Sequence, residues 1–192
     1  MENMYITERL VIKLLDETSA PNVLSFYQEN QKLFEPWEPT HAAQFYTLNY
    51  QKSLLIAERN LAARSQSIRY FVFEKQNLST IIGSIHFYHL MRYPNCSCKL
   101  GYKLAATAWH KGYAFEAISC LLPIMFRTYH LHRIEAEVMP NNHRSIELMK
   151  RLNFTYEGIT RQSCEINGRF EDHCRYSLLE TENIPKTQLR SN

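Results

Sequence analysis

The feature of this sequence that most constrains its fold is a change of hydrophobic period near residue 105. Between residues 67 and 104, apolar residues recur at every second position in three successive runs, which is typical of β-strands. Between Ala114 and Met125 they follow the i, i+3, i+4 spacing of a helix whose apolar stripe must lie on a sheet. The chain therefore leaves a strand near Leu104 and begins a helix within a few residues.

The other segments predict a single α/β domain. They are strands at residues 10–14, 134–138, 155–165 and 169–179 and helices at residues 20–30, 44–64 and 145–152. The dipeptide Asn167-Gly168 favours a type I′ turn, so the last two strands are predicted to form a hairpin. About seven strands and about four helices thus form one domain over residues 1–180, followed by a polar tail at residues 181–192.

Composition and charge exclude several classes of partner. The 192 residues carry 22 Lys and Arg against 19 Asp and Glu, and a net charge of +3 is too small for nucleic-acid wrapping or a polybasic membrane anchor. Residues 1–15 lack the apolar run of a signal peptide, and no stretch has the roughly 18 apolar residues of a membrane span. The five cysteines form no paired C-x-x-C units, so we expect reduced thiols, no metal and a cytoplasmic location.

A stiff segment separates the first two predicted helices. Pro36 and Pro39 exclude continuation of a helix and hold Glu35, Trp37 and Glu38 on a loop. Such a loop is either a lid over a binding site or a packing corner.

The segment between the strand and the long helix is a candidate anion site. At a helix N-terminus the backbone N–H groups are unpaired, and a glycine such as Gly112 lets a pyrophosphate approach the main chain. His110 and Lys111 would add charge-assisted contacts. In the alternative reading, Gly112 only relieves a turn and Lys111 is a solvated surface charge.

These residues resemble the GNAT superfamily of acetyl-CoA-dependent N-acetyltransferases, whose signature is Q/R-x-x-G-x-G/A. Gly112 and Ala114 match its last two fixed positions, whereas Trp109 stands where Gln or Arg is usual. The version W-x-K-G-Y-A followed by E-A is similar to the ribosomal-protein-alanine N-acetyltransferase branch of the RimJ and RimL type. Further segments that resemble this branch are T-E-R-L at residues 7–10, E-N at 29–30, E-P-W-E-P at 35–39, H-R-I at 132–134 and M-P-N-N-H-R-S at 139–145.

The resemblance implies a GNAT fold, in which a mixed, mostly antiparallel sheet splays between its fourth and fifth strands. The cosubstrate acetyl-CoA lies in that cleft, and no metal is used. The implied cofactor-binding residues are Tyr102, Lys103 and Leu104 for the pantetheine arm, Trp109, His110, Lys111, Gly112, Tyr113 and Ala114 for the pyrophosphate, and Asn142 for the pantetheine end. Asn142 is also a good helix N-cap, and both roles are compatible.

Catalysis requires a neutral amine, a donor to the oxyanion and a proton for the departing thiolate. At neutral pH a neutral Lys amine costs about 3 kcal/mol more than a neutral α-amine, so a strong base is optional for N-terminal substrates. The resemblance makes Ser145 the donor to the thiolate, although a serine in a first helical turn is also common without catalytic duty. A backbone N–H of the fourth strand would meet the oxyanion.

The general base is less well defined. RimL-type relatives place a carboxylate just ahead of the hairpin turn, but here Cys164 holds that position and Glu165 is its neighbour. Adjacent strand residues face opposite sides, so Glu165 reaches the cleft only if the register slips, and water is an alternative relay. Glu35 and Glu38, with Trp37, are candidate substrate-binding residues, and each of the two carboxylates is also a rival base.

The leading reading is transfer of an acetyl group from acetyl-CoA to the N-terminal α-amino group of a protein, a ribosomal protein starting with Ala, by direct attack in a ternary complex. A second reading makes the acceptor a small amine, either a polyamine or an amino-bearing antibiotic. A third is a noncatalytic acyl-CoA-binding or ribosome-associated protein. The sequence predicts no direct nucleic-acid or membrane partner and carries no signal for an oligomeric state.

Overall fold

The computed structural model describes residues 3–183, which form one sheet with two helices on each face. The strands are β1 (Met4–Ile6), β2 (Leu10–Lys13), β3 (Ile68–Glu74), β4 (Gly83–Met91), β5 (Ser97–Leu104), β6 (Arg133–Val138), β7 (Thr155–Ile166) and β8 (Arg169–Leu179). The helices are α1 (Ala20–Phe34), α2 (Leu48–Ala63), α3 (Tyr113–Tyr129) and α4 (His143–Arg151). Residues 184–192 of the predicted tail lie outside the described residues, and Glu180–Glu182 form a short 3-10 turn.

The sheet has eight strands in the order β1-β2-β3-β4-β5-β6-β8-β7. Every pairing is antiparallel except that of β5 with β6, so the predicted mixed, mostly antiparallel sheet is confirmed. The strand that the sequence pattern did not predict is β1, which pairs with β2. Its three residues are too few to display a period.

The strands β5 and β6 part soon after they meet. Their pairing covers only Ser97–Lys99 against Arg133–Glu135, while β5 continues to Leu104 and remains paired with β4 on its other side. Past residue 99, the edge of β5 that faces β6 has no strand partner within residues 3–183. Because β1 was not among the predicted strands, β5 and β6 are the predicted fourth and fifth strands, and the predicted splay lies between them. It leaves backbone N–H and C=O groups of β5 exposed to a cleft.

The two faces of the sheet are covered unequally. One face packs against α3 and α4 in a large core that includes Leu100, Leu121, Ile134 and Met149. On the other face, α1 and α2 pack over the β2 and β3 side, around residues such as Phe71. On that second face β5 and β6 carry polar side chains instead, namely Lys99, Lys103, Arg133, Glu135 and Glu137. We call this polar face, bordered by the loop between α1 and α2, the acceptor face.

Candidate active site

The loop before α3 has the geometry of an anion cradle. Gly112 is the N-cap of α3 and has φ = +77° and ψ = 7°, a left-handed conformation that glycine adopts without strain. His110 is also left-handed, with φ = +60°. Within residues 3–183 no side chain caps the first turn of α3, so its N–H groups are available to a ligand. The sequence prediction of a turn glycine and an open helix start is therefore confirmed.

The side chain of Trp109 links this loop to the strand before it. Its indole Nε1–H donates to the carbonyl oxygen of Leu104, the last residue of β5, at 3.2 Å. The guanidinium of Arg144, from the first turn of α4, stacks on the indole with its Cζ 4.0 Å from the ring centroid. Trp109 therefore joins the end of β5 to the start of α4, across the mouth of the cleft.

Lys111 in this loop and Glu116 in the first turn of α3 have different partners. Lys111 Nζ donates to Glu74 at 3.2 Å and lies 5.6 Å from the ring centroid of Tyr113. Glu116, in the first turn of α3, binds Thr7 and Arg9 from the turn between β1 and β2. Both partners of Glu116 are more than 100 residues away along the chain.

Ser145 lies on the other side of the cleft, at the start of α4. Its Oγ is 2.5 Å from the phenolic oxygen of Tyr102, and its backbone N–H donates to Asn142 Oδ1 at 3.2 Å. Asn142 is thus the N-cap of α4, as one of its two predicted roles requires. Burial raises the pKa of the Tyr102 phenol to about 12, although its hydrogen bond with Ser145 acts in the opposite direction. Tyr102 therefore keeps its proton at neutral pH and can donate it to Ser145 Oγ, which leaves the serine proton free for a ligand.

The proline loop is a short 3-10 turn, Glu35–Trp37, that spans the edge of the acceptor face. Glu38 forms an ion pair with Lys103, whose ammonium also lies 5.1 Å from the ring centroids of Tyr27 and Phe34. The Glu35 carboxylate accepts a 2.6 Å hydrogen bond from the neutral amide of Gln31. The charge of Glu38 is therefore matched by Lys103, whereas Glu35 keeps its negative charge at the rim of this face.

The tip of the β7–β8 hairpin holds the other side of this loop. Asn167 Nδ2 donates to the backbone oxygen of Glu35 at 3.0 Å, and Thr40 Oγ1 donates to Asn167 Oδ1 at 3.3 Å. Trp37 stands at the rim with 41% of its surface exposed. The loop is thus fixed between β5 and the hairpin, at the rim of the acceptor face.

The register of the hairpin places Cys164 and Glu165 on opposite faces. Cys164 pairs with Glu171, whereas Glu165 pairs with Phe170 and is exposed. The register does shift between Thr160 and Cys164, but the shift leaves Cys164, and not Glu165, on the same side as the buried Ile166. The suggestion that a register slip would bring Glu165 into the cleft is therefore wrong.

A carboxylate that the sequence reasoning missed lies where β5 and β6 separate. Glu137 lies in β6 two residues beyond Glu135, the last residue paired with β5, and its Oε2 accepts a 2.9 Å hydrogen bond from Lys99. Glu137 is half-buried and shares the acceptor face with Lys103. The signal in the sequence was the alternation of Glu135 and Glu137 with apolar residues, combined with the expected splay.

One Ser–His contact on the same face cannot generate a nucleophile. Ser67 Oγ lies 2.6 Å from His86 Nε2, and Arg69 donates to His86 Nδ1 at 3.0 Å. Because arginine is only a donor, Nδ1 must be the acceptor, and Nε2 carries the proton of the neutral ring. Burial lowers the pKa of His86 to about 2, so the ring is neutral. His86 therefore donates to Ser67 instead of taking its proton.

Comparison with known proteins identifies the family. Residues 9–155 match the acetyltransferase (GNAT) domain family. The chain belongs to the GNAT acetyltransferases. It is 33% identical over 180 residues to the [ribosomal protein uS5]-alanine N-acetyltransferase of Escherichia coli (strain K12), covering 93% of this chain and 92% of that protein.

Two solved structures of GNAT acetyltransferases share the architecture. The ribosomal-protein-S5-alanine acetyltransferase from Vibrio fischeri superimposes with a TM-score of 0.89 at 26% identity, over 96% of this chain and 100% of that one. RimJ of Mycobacterium smegmatis, solved in complex with CoA-disulfide, gives 0.83 at 20% identity, over 95% of this chain and 85% of that one. The GNAT fold is confirmed, and this chain is an acetyl-CoA-dependent N-acetyltransferase.

The observed geometry suits the cosubstrate of a GNAT enzyme. The open edge of β5 offers backbone groups to an amide-bearing arm such as pantetheine, and the left-handed Gly112 leaves the first turn of α3 open to a pyrophosphate. Within residues 3–183 no group of three or more His, Cys, Asp or Glu side chains could hold a metal ion. In the same range, no helix is long and apolar enough to cross a membrane.

Proposed function

We propose that this enzyme transfers an acetyl group from acetyl-CoA to the N-terminal α-amino group of a protein, a ribosomal protein beginning with Ala, in the cytoplasm. The relative from Escherichia coli named above is a ribosomal-protein alanine N-acetyltransferase, and it covers nearly the whole chain. The observation that carries the proposal is the charge balance of the acceptor face. The amine attacks acetyl-CoA directly in a ternary complex.

Across the β5, β6 and β7 strands of the acceptor face, carboxylates are matched by cations. Glu38 pairs with Lys103, and Glu137 pairs with Lys99. Glu135 and Glu157 both pair with Arg133, and Glu157 also lies 3.5 Å from Arg175. A polyamine carries several positive charges and is best bound by surplus carboxylates, whereas a peptide needs a neutral groove with an apolar rim such as Trp37 provides. The described part of this face therefore favours a peptide N-terminus over a polyamine.

Binding of acetyl-CoA is assigned to both sides of the cleft. Along Tyr102, Lys103 and Leu104, alternate backbone groups of β5 face the free edge, where they support hydrogen bonds to the pantetheine arm, and Asn142 extends this contact at the start of α4. The six residues Trp109 to Ala114 form the pyrophosphate cradle. In the same region, a β5 backbone N–H without a strand partner is the donor to the oxyanion.

Ser145 and Glu137 are the proposed catalytic residues. Ser145 donates its proton to the departing thiolate, and Tyr102 holds the serine hydroxyl in that orientation. Glu137 receives the proton of the amine, directly or through a water molecule, because it is the carboxylate at the parting of β5 and β6. Its role is an assisting one, since an α-amine with a pKa of about 7.7 to 8.0 is already partly neutral at pH 7.5.

The test is a thiol-release assay with acetyl-CoA against N-terminal peptides of ribosomal proteins, polyamines and aminoglycosides. We expect turnover with Ala-starting peptides and none with spermidine. Turnover of only the small amines would replace the proposal by the small-amine reading. Binding of acetyl-CoA without turnover of any acceptor would favour a noncatalytic acyl-CoA-binding protein.

The role of Glu137 is tested by the pH dependence of the rate in the parent enzyme and by the activity of two variants. With an Ala-starting peptide below saturation, the rate of the parent enzyme should level off near pH 8, where the amine itself becomes neutral. Glu137→Gln should lose about 10-fold to 100-fold in kcat, while Glu165→Gln, on the opposite face, should behave as the parent. A larger loss in Glu165→Gln than in Glu137→Gln would contradict this assignment.

A further inference from the structure

We propose that Arg9 is a positioning residue for the pyrophosphate cradle: it sets the orientation of the Lys111–Gly112 peptide and neutralises Glu116 beneath the bound anion. This inference rests on the proposed binding of acetyl-CoA at residues Trp109 to Ala114. Arg9 lies outside the cradle, in the turn between β1 and β2, and is separated from it by about 100 residues of chain.

The contacts of Arg9 join the cradle to the helix turn that follows it. Its Nη1 donates to the carbonyl oxygen of Lys111 at 2.8 Å. Its Nε donates to Glu116 Oε2 at 2.7 Å, its Nη2 lies 2.6 Å from the same oxygen, and its backbone N–H donates to Glu116 Oε1 at 2.9 Å. The planar guanidinium fork lets one side chain make both sets of bonds at once. Arg9 therefore ties the loop before α3 to the first turn of α3.

The bond to Lys111 fixes the direction of the next N–H group. The Lys111–Gly112 peptide is trans, since the Tyr93–Pro94 bond is the cis peptide found within residues 3–183. In a trans peptide, the C=O of one residue and the N–H of the next point in opposite directions. Arg9 holds the Lys111 carbonyl on its own side, so the N–H of Gly112 points away from Arg9. Without that bond, the left-handed glycine would let the peptide rotate and turn a carbonyl toward the anion.

The ion pair with Glu116 serves the same site electrostatically. Glu116 is in the first turn of α3, where a bare carboxylate would compete with a bound phosphate for the helix N-terminus. Thr7 adds a 2.6 Å hydrogen bond to Glu116 Oε1. Burial by itself would raise the pKa of Glu116, but the hydrogen bonds from Thr7 and Arg9 outweigh it and lower the pKa. The carboxylate is therefore ionised at neutral pH, and Arg9 compensates its charge.

These contacts predict which donor substrates depend on Arg9. Acetyl-CoA carries the pyrophosphate, whereas S-acetyl-pantetheine presents the same thioester and arm without it. A residue that acts through the cradle should affect only the first donor. A residue that only stabilises the β1–β2 turn should affect both equally.

The experiment compares Arg9→Gln with the parent by calorimetry of acetyl-CoA binding and by kcat/KM with each donor. Loss of charge-assisted hydrogen bonds should raise the Kd of acetyl-CoA about 10-fold to 100-fold, while kcat/KM for S-acetyl-pantetheine is unchanged. Arg59→Gln is the matched control, because Arg59 forms an exposed ion pair with Glu17 at 3.9 Å. This control should bind acetyl-CoA as the parent does.

Arg9→Lys keeps the positive charge but cannot reach Lys111 and Glu116 together. It should therefore also weaken acetyl-CoA binding, and it carries the test if Arg9→Gln does not fold. An Arg9→Lys variant with the affinity of the parent, or an equal loss with both donors, would overturn the positioning role alone. A parent protein that does not bind acetyl-CoA would overturn the proposed function, and the role of Arg9 with it.

Discussion

At the scale of single residues, the cradle depends on a conformation that only glycine adopts freely. Gly112 and Gly168 both have φ = +77°, so an alanine at either position would strain the backbone by a similar amount, about 1 kcal/mol. Only Gly112 lies at the proposed pyrophosphate site. Gly112→Ala should therefore raise the Kd of acetyl-CoA, whereas Gly168→Ala, in the hairpin turn, should lose comparable stability and keep the affinity.

The pair is measured by calorimetry and by thermal unfolding on the same samples. A valine would be a poorer probe, because a β-branched residue in the left-handed region threatens the fold itself. If Gly112→Ala binds acetyl-CoA as tightly as Gly168→Ala does, the pyrophosphate does not lie at this loop.

A second prediction at this scale separates Ser145 from its neighbour Tyr102. Ser145→Ala should lower kcat about 10²-fold with little change in the Kd of acetyl-CoA, because a proton donor to the thiolate acts in the transition state. Tyr102→Phe removes only the hydrogen bond that orients the serine and should cost about 10-fold in kcat. Equal turnover in Ser145→Ala and the parent would show that Ser145 has only a structural role, in the first turn of α4.

At the scale of elements, the proline loop and the β7–β8 hairpin together form one wall of the acceptor face. Asn167→Gly keeps the left-handed turn, since Asn167 has φ = +50°, but removes the hydrogen bond to the Glu35 carbonyl. The KM for a peptide acceptor should rise about 3-fold to 10-fold, while the Kd of acetyl-CoA stays constant. A change in acetyl-CoA affinity with no change in peptide KM would show that this contact does not belong to the acceptor side.

The elements also show which features local sequence patterns can predict. The strand-to-helix transition at Gly112 and the hairpin turn at Asn167 depend on a few adjacent residues, and both were predicted correctly. The register shifts in β7, between Tyr156 and Gly158 and between Thr160 and Cys164, were not predicted, because they leave no mark in the hydrophobic period.

Features that depend on distant segments were missed for a different reason. Glu137 becomes a candidate base only because β5 and β6 part beside it, and Arg9 becomes important only because the β1–β2 turn packs on α3. Neither contact is encoded by spacing along the chain. Local conformation was therefore predictable, whereas the partners of the charged residues required the fold.

At the scale of the whole molecule, the sheet separates two tasks. The cleft between β5 and β6 opens on one side to the α3 cradle, which suits a nucleotide-bearing donor. On the other side it opens to the acceptor face, where the ion pairs of Lys99 and Lys103 and the exposed Trp37 border a groove. The proposed direct transfer in a ternary complex requires such a division, because the enzyme must hold both substrates at once.

The central claim, transfer to a protein α-amine, is tested most directly by mass spectrometry on one peptide in two forms. The peptide begins with Ala and contains an internal Lys, and in its second form the α-amine is blocked. The account predicts acetylation of the free form at its N-terminus alone and no product from the blocked form. The reason is that at pH 7 the neutral form of a Lys amine costs about 3 kcal/mol more than that of an α-amine. Acetylation of the internal Lys in the blocked peptide, or product from spermidine with neither peptide modified, would contradict it.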